Sequence, residues 1–400
     1  MDTLVKKNNR KDLLISGCVF LSGFSCFAQL YYFQPLLPDL SQEFGLTASH
    51  SSFAVSFSTL GMVFGLFTAM FLADRISRKE LISTGLLASS VFSVIASFSP
   101  SFLLLIALSA AKGFFLAGAT SVSMAYISEE VSPGNKNTIM GLYIAGNALG
   151  GMGGRVISSY LGAVYSWRTA SASIGIICAF FALLFWIFSP KSLNFIPKKE
   201  NFKSLIVSNL QLITSPALLP FYLTGALMIG VFVSLYNYMG FYLIQAPFHF
   251  PPTYIHYIYL MYIFGVFGSI ATARLTYIFN PFSVLKAMLL IAAAGTLLLY
   301  IPYFGIVTEA LAAFTFNFFV VHVLCNRIVS DYSITKRSVT ISIYLLAYYL
   351  GSSFLGSATG LILDTWGWPY FLAGLIALLL FTYGIVRIGA KRMQKEKFPL

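Results

Sequence analysis

Apolar stretches of roughly 20 residues recur along the whole chain, and this repeat constrains the fold more than any single motif does. A helix needs about 20 apolar residues to cross the ~30 Å hydrocarbon core of a membrane. Of the 400 residues, 58% are hydrophobic and 10% are charged, whereas soluble domains carry about 25% charged residues. The pattern predicts an all-α membrane protein. Twelve spans are predicted, at about 13–34, 50–72, 81–98, 102–126, 138–163, 168–188, 216–245, 254–273, 282–303, 305–326, 339–362 and 369–389.

A polar stretch at 189–215 separates the first six spans from the last six. We therefore expect an N-terminal six-helix bundle at 1–188, a cytoplasmic linker at 189–215 and a C-terminal six-helix bundle at 216–400. Two such halves, related by an axis along the membrane normal, are the architecture of one large class of transporters.

The two halves also resemble each other in sequence. A shift of 201 residues aligns Gly150 with Gly351, in the fifth and eleventh spans. The same shift aligns Trp167 with Trp368, where the sixth and twelfth spans begin. Because both identities fall at the same point of each six-span unit, they favour a pseudo-symmetric pair of bundles.

The positive charges predict the orientation of the chain. With both termini in the cytoplasm, 22 of the 25 Lys and Arg residues lie on cytoplasmic segments or at their edges, as the positive-inside rule requires. The net charge of +12 comes from short clusters, so it does not predict binding to nucleic acid, which needs a continuous basic stripe. The chain contains no N-x-[ST] glycosylation motif, which favours a bacterial inner membrane.

The loop between the second and third predicted spans carries the first resemblance to a known family. It reads Leu-Ala-Asp-Arg-Ile-Ser-Arg-Lys at 72–79 and resembles the signature loop of the major facilitator superfamily. Four residues match the family pattern, namely Asp74, Arg75, Arg78 and Lys79, whereas Met70 and Ser77 replace its two glycines.

The resemblance implies a cytoplasmic gate at this loop. Asp74 would face the N-terminal dipole of the eleventh helix, where a negative charge is stabilised by about 0.3–1 kcal/mol. Arg78, beside Arg75, would pair with an acid at the end of the fourth span, where Glu129 and Glu130 stand. The alternative is that the positive residues of this loop only fix the topology.

The fifth span carries a second resemblance. Residues 146–151 read Gly-Asn-Ala-Leu-Gly-Gly and resemble the antiporter motif G-P-x-x-G-G of the twelve-span drug–proton antiporter branch. Within that branch the chain is similar to the YnfM-like group of inner-membrane transporters. Small residues allow helices to approach closely. The helix-packing positions predicted in both halves are Gly146, Asn147, Gly150, Gly151, Gly154, Gly351, Gly356 and Gly360.

Two positive residues lie within predicted spans, Lys112 in the fourth and Arg155 in the fifth. A charge at the bilayer centre costs roughly 2.5–3.5 kcal/mol on insertion scales, so each is a candidate functional residue. The family often has an arginine in the fourth span that is linked to proton coupling; Ser109 holds that place, and Lys112 follows one turn later. The alternatives are that Lys112 pairs with a carbonyl or snorkels, and that Arg155 ties helices together.

Carboxylates are scarce at membrane depth, which limits the candidates for proton coupling. The remaining candidates are His322, Glu309, Asp39 and Lys112 itself. In the family the first and seventh spans line the substrate cavity. The resemblance therefore implies substrate contacts at Gln29 and Tyr31 of the first span and at Asn237 of the seventh.

These observations predict a secondary transporter that works by alternating access. The first expectation is proton-coupled efflux of a small amphipathic compound or drug. The alternative is transport, inward or outward, of an anionic metabolite such as a carboxylate siderophore, because the buried charges are positive. No H-E-x-x-H or G-x-S-x-G motif occurs, so an enzyme is not expected. We expect no cofactor and no metal site, and a monomer whose partners are membrane lipid, a small-molecule substrate and protons.

Overall fold

The computed structural model describes residues 2–73, 75–197, 210–332 and 336–395. Within these ranges the regular structure is entirely helical, which confirms the predicted all-α class. The helices of the first two hundred residues are α1 Asp2–Tyr31, α2 Leu37–Phe44, α3 Ala48–Ser51, α4 Phe53–Leu72, α5 Arg78–Ala96, α6 Phe102–Glu130, α7 Lys136–Val164 and α8 Trp167–Phe188.

The remaining helices follow the polar stretch. Two short 3-10 turns, Gln34–Leu36 and Pro252–Tyr254, adjoin the ends of long helices. The later helices are α9 Leu219–Ile244, α10 His256–Tyr259, α11 Tyr262–Ile278, α12 Pro281–Leu298, α13 Phe304–Tyr332, α14 Arg337–Trp366 and α15 Trp368–Lys395.

Polar residues cap several of the long apolar helices. Ser77, Ser101 and Ser166 accept hydrogen bonds from the backbone N–H groups of the first turns of α5, α6 and α8. Asn280 caps α12, with a proline in its first turn. In hydrocarbon every backbone polar group must be satisfied within the protein, and a side-chain cap satisfies one of the free N–H groups at a helix start.

Eleven helical stretches among the described residues are long and apolar enough to cross a membrane. The fifth span predicted from the sequence, at 138–163, is not among these eleven and corresponds to α7, a helix of 29 residues. Its length is sufficient, but its glycines, Asn147 and Arg155 make it less apolar than the others. The chain is a multi-pass membrane protein.

The chain forms two compact units, which we treat separately. The first unit comprises Met1–Leu36 and Phe57–Phe202, and the second comprises Leu37–Ser56 and Lys203–Leu400. The segment Leu37–Ser56, which precedes most of α4 in sequence, groups with the second unit. The domain boundaries at 188 and 216 stay a prediction.

Glycines bring α1 and α7 into close contact in the first unit. Gly146, Gly150 and Gly154, each four residues apart, lie on one face of α7. A Cβ atom at these positions would overlap the α1 backbone at Phe20, Phe24 and Ala28, respectively. These positions form what we call the glycine seam of the first unit. Only glycine allows this approach of the two backbones.

The second unit repeats this device between α9 and α14. A Cβ atom at Gly351 would overlap the backbone of Ala226 on α9. Further along α14, Gly356 lies against Val233 and Gly360 against the Tyr238 hydroxyl. The pair α1 and α7 in the first unit and the pair α9 and α14 in the second therefore pack in the same manner, through the aligned glycines Gly150 and Gly351.

Candidate functional site

Lys112 lies on the buried face of α6, in the interior of the first unit. Its side chain is 1% exposed. The ammonium nitrogen Nζ lies 4.3 Å from the ring centre of Tyr32 and 4.7 Å from that of Phe33. Within the described chain, Nζ has no hydrogen-bond partner. Cation–π contacts contribute about 0.5–2 kcal/mol, so two aromatic rings offset only part of the cost of burying a charge.

Ser109 precedes Lys112 by one helical turn and faces the same interior. It is also buried, and its hydroxyl has no hydrogen-bond partner among the described residues. The family resemblance implies an arginine at this position, and this assignment stays a prediction.

Arg155 on α7 is buried as deeply as Lys112, but its guanidinium is well satisfied. Its Nε donates to Gln34 Oε1 at 2.5 Å, and its Nη1 donates to the Gly151 carbonyl at 2.5 Å. The guanidinium carbon lies 4.5 Å from the ring centre of Tyr31. Arg155 therefore joins α7 to the end of α1 and to the 3-10 turn after it.

Gln29 lies on α1 and is fully buried in the interior of the first unit. Its Oε1 accepts a hydrogen bond from the Ser93 hydroxyl at 3.1 Å, whereas its Nε2 has no partner in the described structure. Tyr31, the last residue of α1, is placed against Arg155 instead. The two polar residues predicted on the first span therefore have different surroundings.

The second unit places His322 in an aromatic cluster. Its Nδ1 lies 2.9 Å from the Tyr344 hydroxyl. Its ring centre is 4.7 Å from that of Tyr348 and 6.1 Å from that of Phe318. The imidazole is therefore surrounded by neutral partners that join α13 to α14.

Asn237 and Glu309 occupy very different positions in the second unit. Asn237 is fully buried on α9, and its Nδ2 donates to the Gly356 carbonyl at 3.0 Å. Glu309 lies in the second turn of α13 and is exposed. The structure thus separates Glu309 from the buried polar residues of its own unit.

The predicted cytoplasmic gate contains two ion pairs in the first unit. Arg78 pairs with Glu129 at 3.0 Å, and its guanidinium lies 4.8 Å from the ring centre of Phe195. Glu130 pairs with Lys11 at 2.8 Å. Arg78 thus selects one of the two acids that the sequence offers.

The predicted gate contains two further residues. Arg75 is exposed, and Asp74 lies outside the described residues. The contact that the family resemblance implies for Asp74 stays a prediction.

Several residues of these sites carry no local signal in the sequence. The Glu130 carboxylate also accepts the Asn194 backbone N–H at 2.7 Å, so Lys11 and Asn194 meet at one acid. Tertiary packing brings Phe33 to Lys112, and it likewise brings Ser93 to Gln29. In the described part of the chain, no group of three or more His, Cys, Asp or Glu residues is arranged to hold a metal ion.

Comparison with known proteins identifies a family and several relatives that are similar to this chain. The model of the family described as Major Facilitator Superfamily matches residues 19–352. An uncharacterised transporter of Buchnera aphidicola is 33% identical over 95% of this chain and 92% of its own length. The inner membrane transport protein YnfM of Escherichia coli is 32% identical over 94% of this chain and 90% of its own length.

Solved structures show the same fold. A bacterial homologue of the human lysosomal transporter Spinster, in an inward-facing and unoccupied conformation, has a TM-score of 0.74 and 14% identity. The match covers 96% of each chain. At this identity the likeness concerns the fold alone.

Proposed function

The chain belongs to the major facilitator superfamily, and from that premise we propose that it is a secondary transporter whose substrate is a small organic anion. Its family and relatives are transporters rather than enzymes. The observation that carries the proposal is Lys112, a buried ammonium without a hydrogen-bond partner among the described residues. A carboxylate of the substrate would supply the missing counter-charge.

The contrast with Arg155 supports Lys112 as the anion contact. Both are buried cations of the first unit, but Arg155 already donates to Gln34 and to a carbonyl. A charge-assisted hydrogen bond to a carboxylate is roughly twice as strong as a neutral one, and Lys112 retains all three donors for it. Arg155 then acts in this proposal by fixing the end of α1 and the 3-10 turn after it, between which Tyr32 and Phe33 lie.

The aromatic rings beside Lys112 indicate what the rest of the substrate is like. Tyr32 and Phe33 supply apolar surface next to the ammonium. Ligand sites generally combine such surface with a few placed polar groups. An anion with an apolar or aromatic body, such as benzoate, fits this chemistry better than a small hydrated anion.

Proton-coupled efflux of an amphipathic drug is the second candidate. It is favoured by the glycine seam on α7, which coincides with the motif that resembles the antiporter branch. In either case protons would drive the cycle of alternating access, and His322 or Lys112 would carry them. We further propose a monomer in the bacterial inner membrane with both termini in the cytoplasm.

Counterflow in proteoliposomes separates the two candidates. Liposomes preloaded with unlabelled benzoate, citrate or ethidium would be diluted into a trace of the same labelled compound. We expect benzoate to accumulate transiently and ethidium not to. Lys112→Met should reduce benzoate counterflow at least about tenfold, since each 1.4 kcal/mol of lost binding is a factor of ten. Lys112→Arg, which keeps the charge, should retain part of it.

The matched control is Lys391→Met, which removes an exposed lysine at the end of α15 and should leave counterflow unchanged. Counterflow of ethidium that is insensitive to Lys112→Met would replace the anion proposal with the drug proposal. Benzoate counterflow that survives Lys112→Met would remove Lys112 from the site.

A further inference from the structure

A line of small polar residues runs through the interior of the first unit along α1. Ser22, Ser25 and Gln29 are spaced three and four residues apart, which places them on one face of the helix. All three side chains are fully buried. Hydroxyl and amide groups at these positions are costly to bury unless they find polar partners.

Hydrogen bonds continue this line towards Lys112. The Ser93 hydroxyl of α5 donates to Gln29 Oε1 at 3.1 Å. The Ser171 hydroxyl of α8 donates to the Ser93 carbonyl at 2.9 Å and lies 2.8 Å from the Tyr32 hydroxyl. The Tyr32 ring in turn covers the Lys112 ammonium. Hydrogen bonds therefore link Gln29 through Ser93 and Ser171 to Tyr32, whose ring contacts Lys112.

Four atoms of this series have no hydrogen-bond partner within the described residues. They are Ser22 Oγ, Gln29 Nε2, Ser109 Oγ and Lys112 Nζ. Ser25 Oγ likewise has no hydrogen-bond partner within the described residues, and the Cys178 thiol donates to the Ser25 backbone carbonyl at 3.9 Å. Leaving one buried polar group unpaired costs about 1–3 kcal/mol.

Two other serines of the same unit satisfy their hydroxyls within their own helix. Ser89 and Ser90 of α5 are as deeply buried, but both donate to the Leu86 carbonyl of their own helix, at 2.9 and 2.7 Å. Such bonds to the preceding turn are the usual way in which a helical serine satisfies its hydroxyl. Ser22 and Ser25 do not use it, so their hydroxyls remain available to another molecule.

We propose that this series binds a file of water molecules from Ser22 to Lys112, and that the file delivers protons to the lysine. A water molecule both donates and accepts, and buried waters commonly make about three hydrogen bonds to otherwise unsatisfied groups. A hydronium ion in the file transfers its proton to the neutral amine, so that the amine becomes an ammonium and the hydronium becomes a water molecule. Proton release is the reverse step. The titratable neighbours described around Lys112 are Tyr32, directly after α1, and Cys178 of α8.

The role given to the water file rests on the proposed function, because an ammonium binds an anion and a neutral amine does not. The binding of the water itself does not depend on that proposal. Uptake of benzoate driven by a pH gradient requires net proton movement, whereas counterflow does not. Ser25→Ala, which removes one oxygen from the file, should slow gradient-driven uptake about threefold or more and leave counterflow unchanged. Ser90→Ala is the matched control and should change neither rate. Equal effects of the two variants on gradient-driven uptake would contradict proton delivery through the file.

Radiolytic hydroxyl labelling tests the water file without any substrate. X-rays convert bound water to hydroxyl radicals in place, and mass spectrometry then measures oxidation of neighbouring side chains. Cys178 adjoins the file, whereas the equally buried Cys325 of the second unit serves as the internal control. We expect Cys178 to be oxidised about tenfold faster than Cys325, and Ser25→Ala but not Ser90→Ala to reduce this ratio.

Thermal unfolding of both variants should match the wild type, which would show that the reduction is not due to misfolding. Equal oxidation of the two cysteines in the wild type would overturn the water file while leaving the anion proposal intact. Unequal oxidation that Ser25→Ala does not alter would also overturn it, because the water would then lie elsewhere.

Discussion

The two units of this transporter share a packing device and differ in charge. Gly150 on α7 and Gly351 on α14 occupy the same position of the two-fold repeat. Each lies against the backbone of its unit's first long helix, α1 or α9. The first unit buries two cations, Lys112 and Arg155. The second unit surrounds His322 with neutral aromatic partners.

The shift that aligns the halves makes this difference explicit at one position. It places Gly356 of α14 where Arg155 stands in α7. The Gly356 carbonyl accepts hydrogen bonds from Asn237 and Tyr238, whereas the Arg155 guanidinium donates to Gln34. The comparison teaches that the glycine contacts form the framework common to both units, and that anion recognition, as proposed, is a property of the first unit alone.

The largest expected effect concerns the shared framework. Gly150→Val and Gly351→Val would each force a branched side chain into a neighbouring backbone, and overpacking of this kind costs about 1–3 kcal/mol or more. Both variants should lose most of their folded yield in detergent, measured by gel filtration and thermal unfolding. Gly141→Val is the control, because a Cβ atom there meets nothing within 4 Å. A Gly351→Val protein as stable as Gly141→Val would break the comparison at its common element.

The second expected effect separates the two cations of the first unit. Arg155→Met removes the donor to Gln34 Oε1 and should lower the free energy of unfolding by about 1–3 kcal/mol. Lys112→Met removes an ammonium that donates no hydrogen bond to a described residue, so its stability should equal or exceed that of the wild type. Thermal unfolding of both purified variants measures the difference. Equal destabilisation by the two substitutions would show that Lys112 is also a structural cation.

The smallest expected effect lies in the second unit. Tyr344→Phe removes the hydroxyl that lies against His322 Nδ1 and should cost about 0.5–1.5 kcal/mol of stability, the usual net value of one hydrogen bond. Benzoate counterflow should not change. Tyr370→Phe, at an exposed position, is the control for stability. A large loss of counterflow in Tyr344→Phe would place anion transport in both units and weaken the contrast between them.

Much of the fold could be predicted from the sequence, because membrane spans follow from composition alone. The helical class, the family and the positions of the long helices were predicted from apolar blocks and from the loop at 72–79. The fifth predicted span, α7, is the least apolar of the twelve, since the glycines and Arg155 that give α7 its packing role also lower its hydropathy.

The sites were predictable only as single residues. Lys112 and Arg155 stand out because a charge within a span is rare, but nothing near them in sequence distinguishes the satisfied cation from the unsatisfied one. Their partners come from other parts of the chain: Tyr32 and Phe33, directly after α1, contact Lys112. The Lys11–Glu130 pair joins residues 119 positions apart, and such contacts follow from tertiary packing, which local patterns do not contain.

Direct binding of benzoate to the purified protein tests the central claim, that Lys112 is the anion contact of the first unit. Titration calorimetry would compare the wild type with Lys112→Met, with Lys391→Met and with His322→Gln of the second unit. We predict that Lys112→Met weakens benzoate binding at least about tenfold, which corresponds to 1.4 kcal/mol, and that the other two variants bind as the wild type does. Unchanged affinity in Lys112→Met, or an equal loss in His322→Gln, would contradict the account.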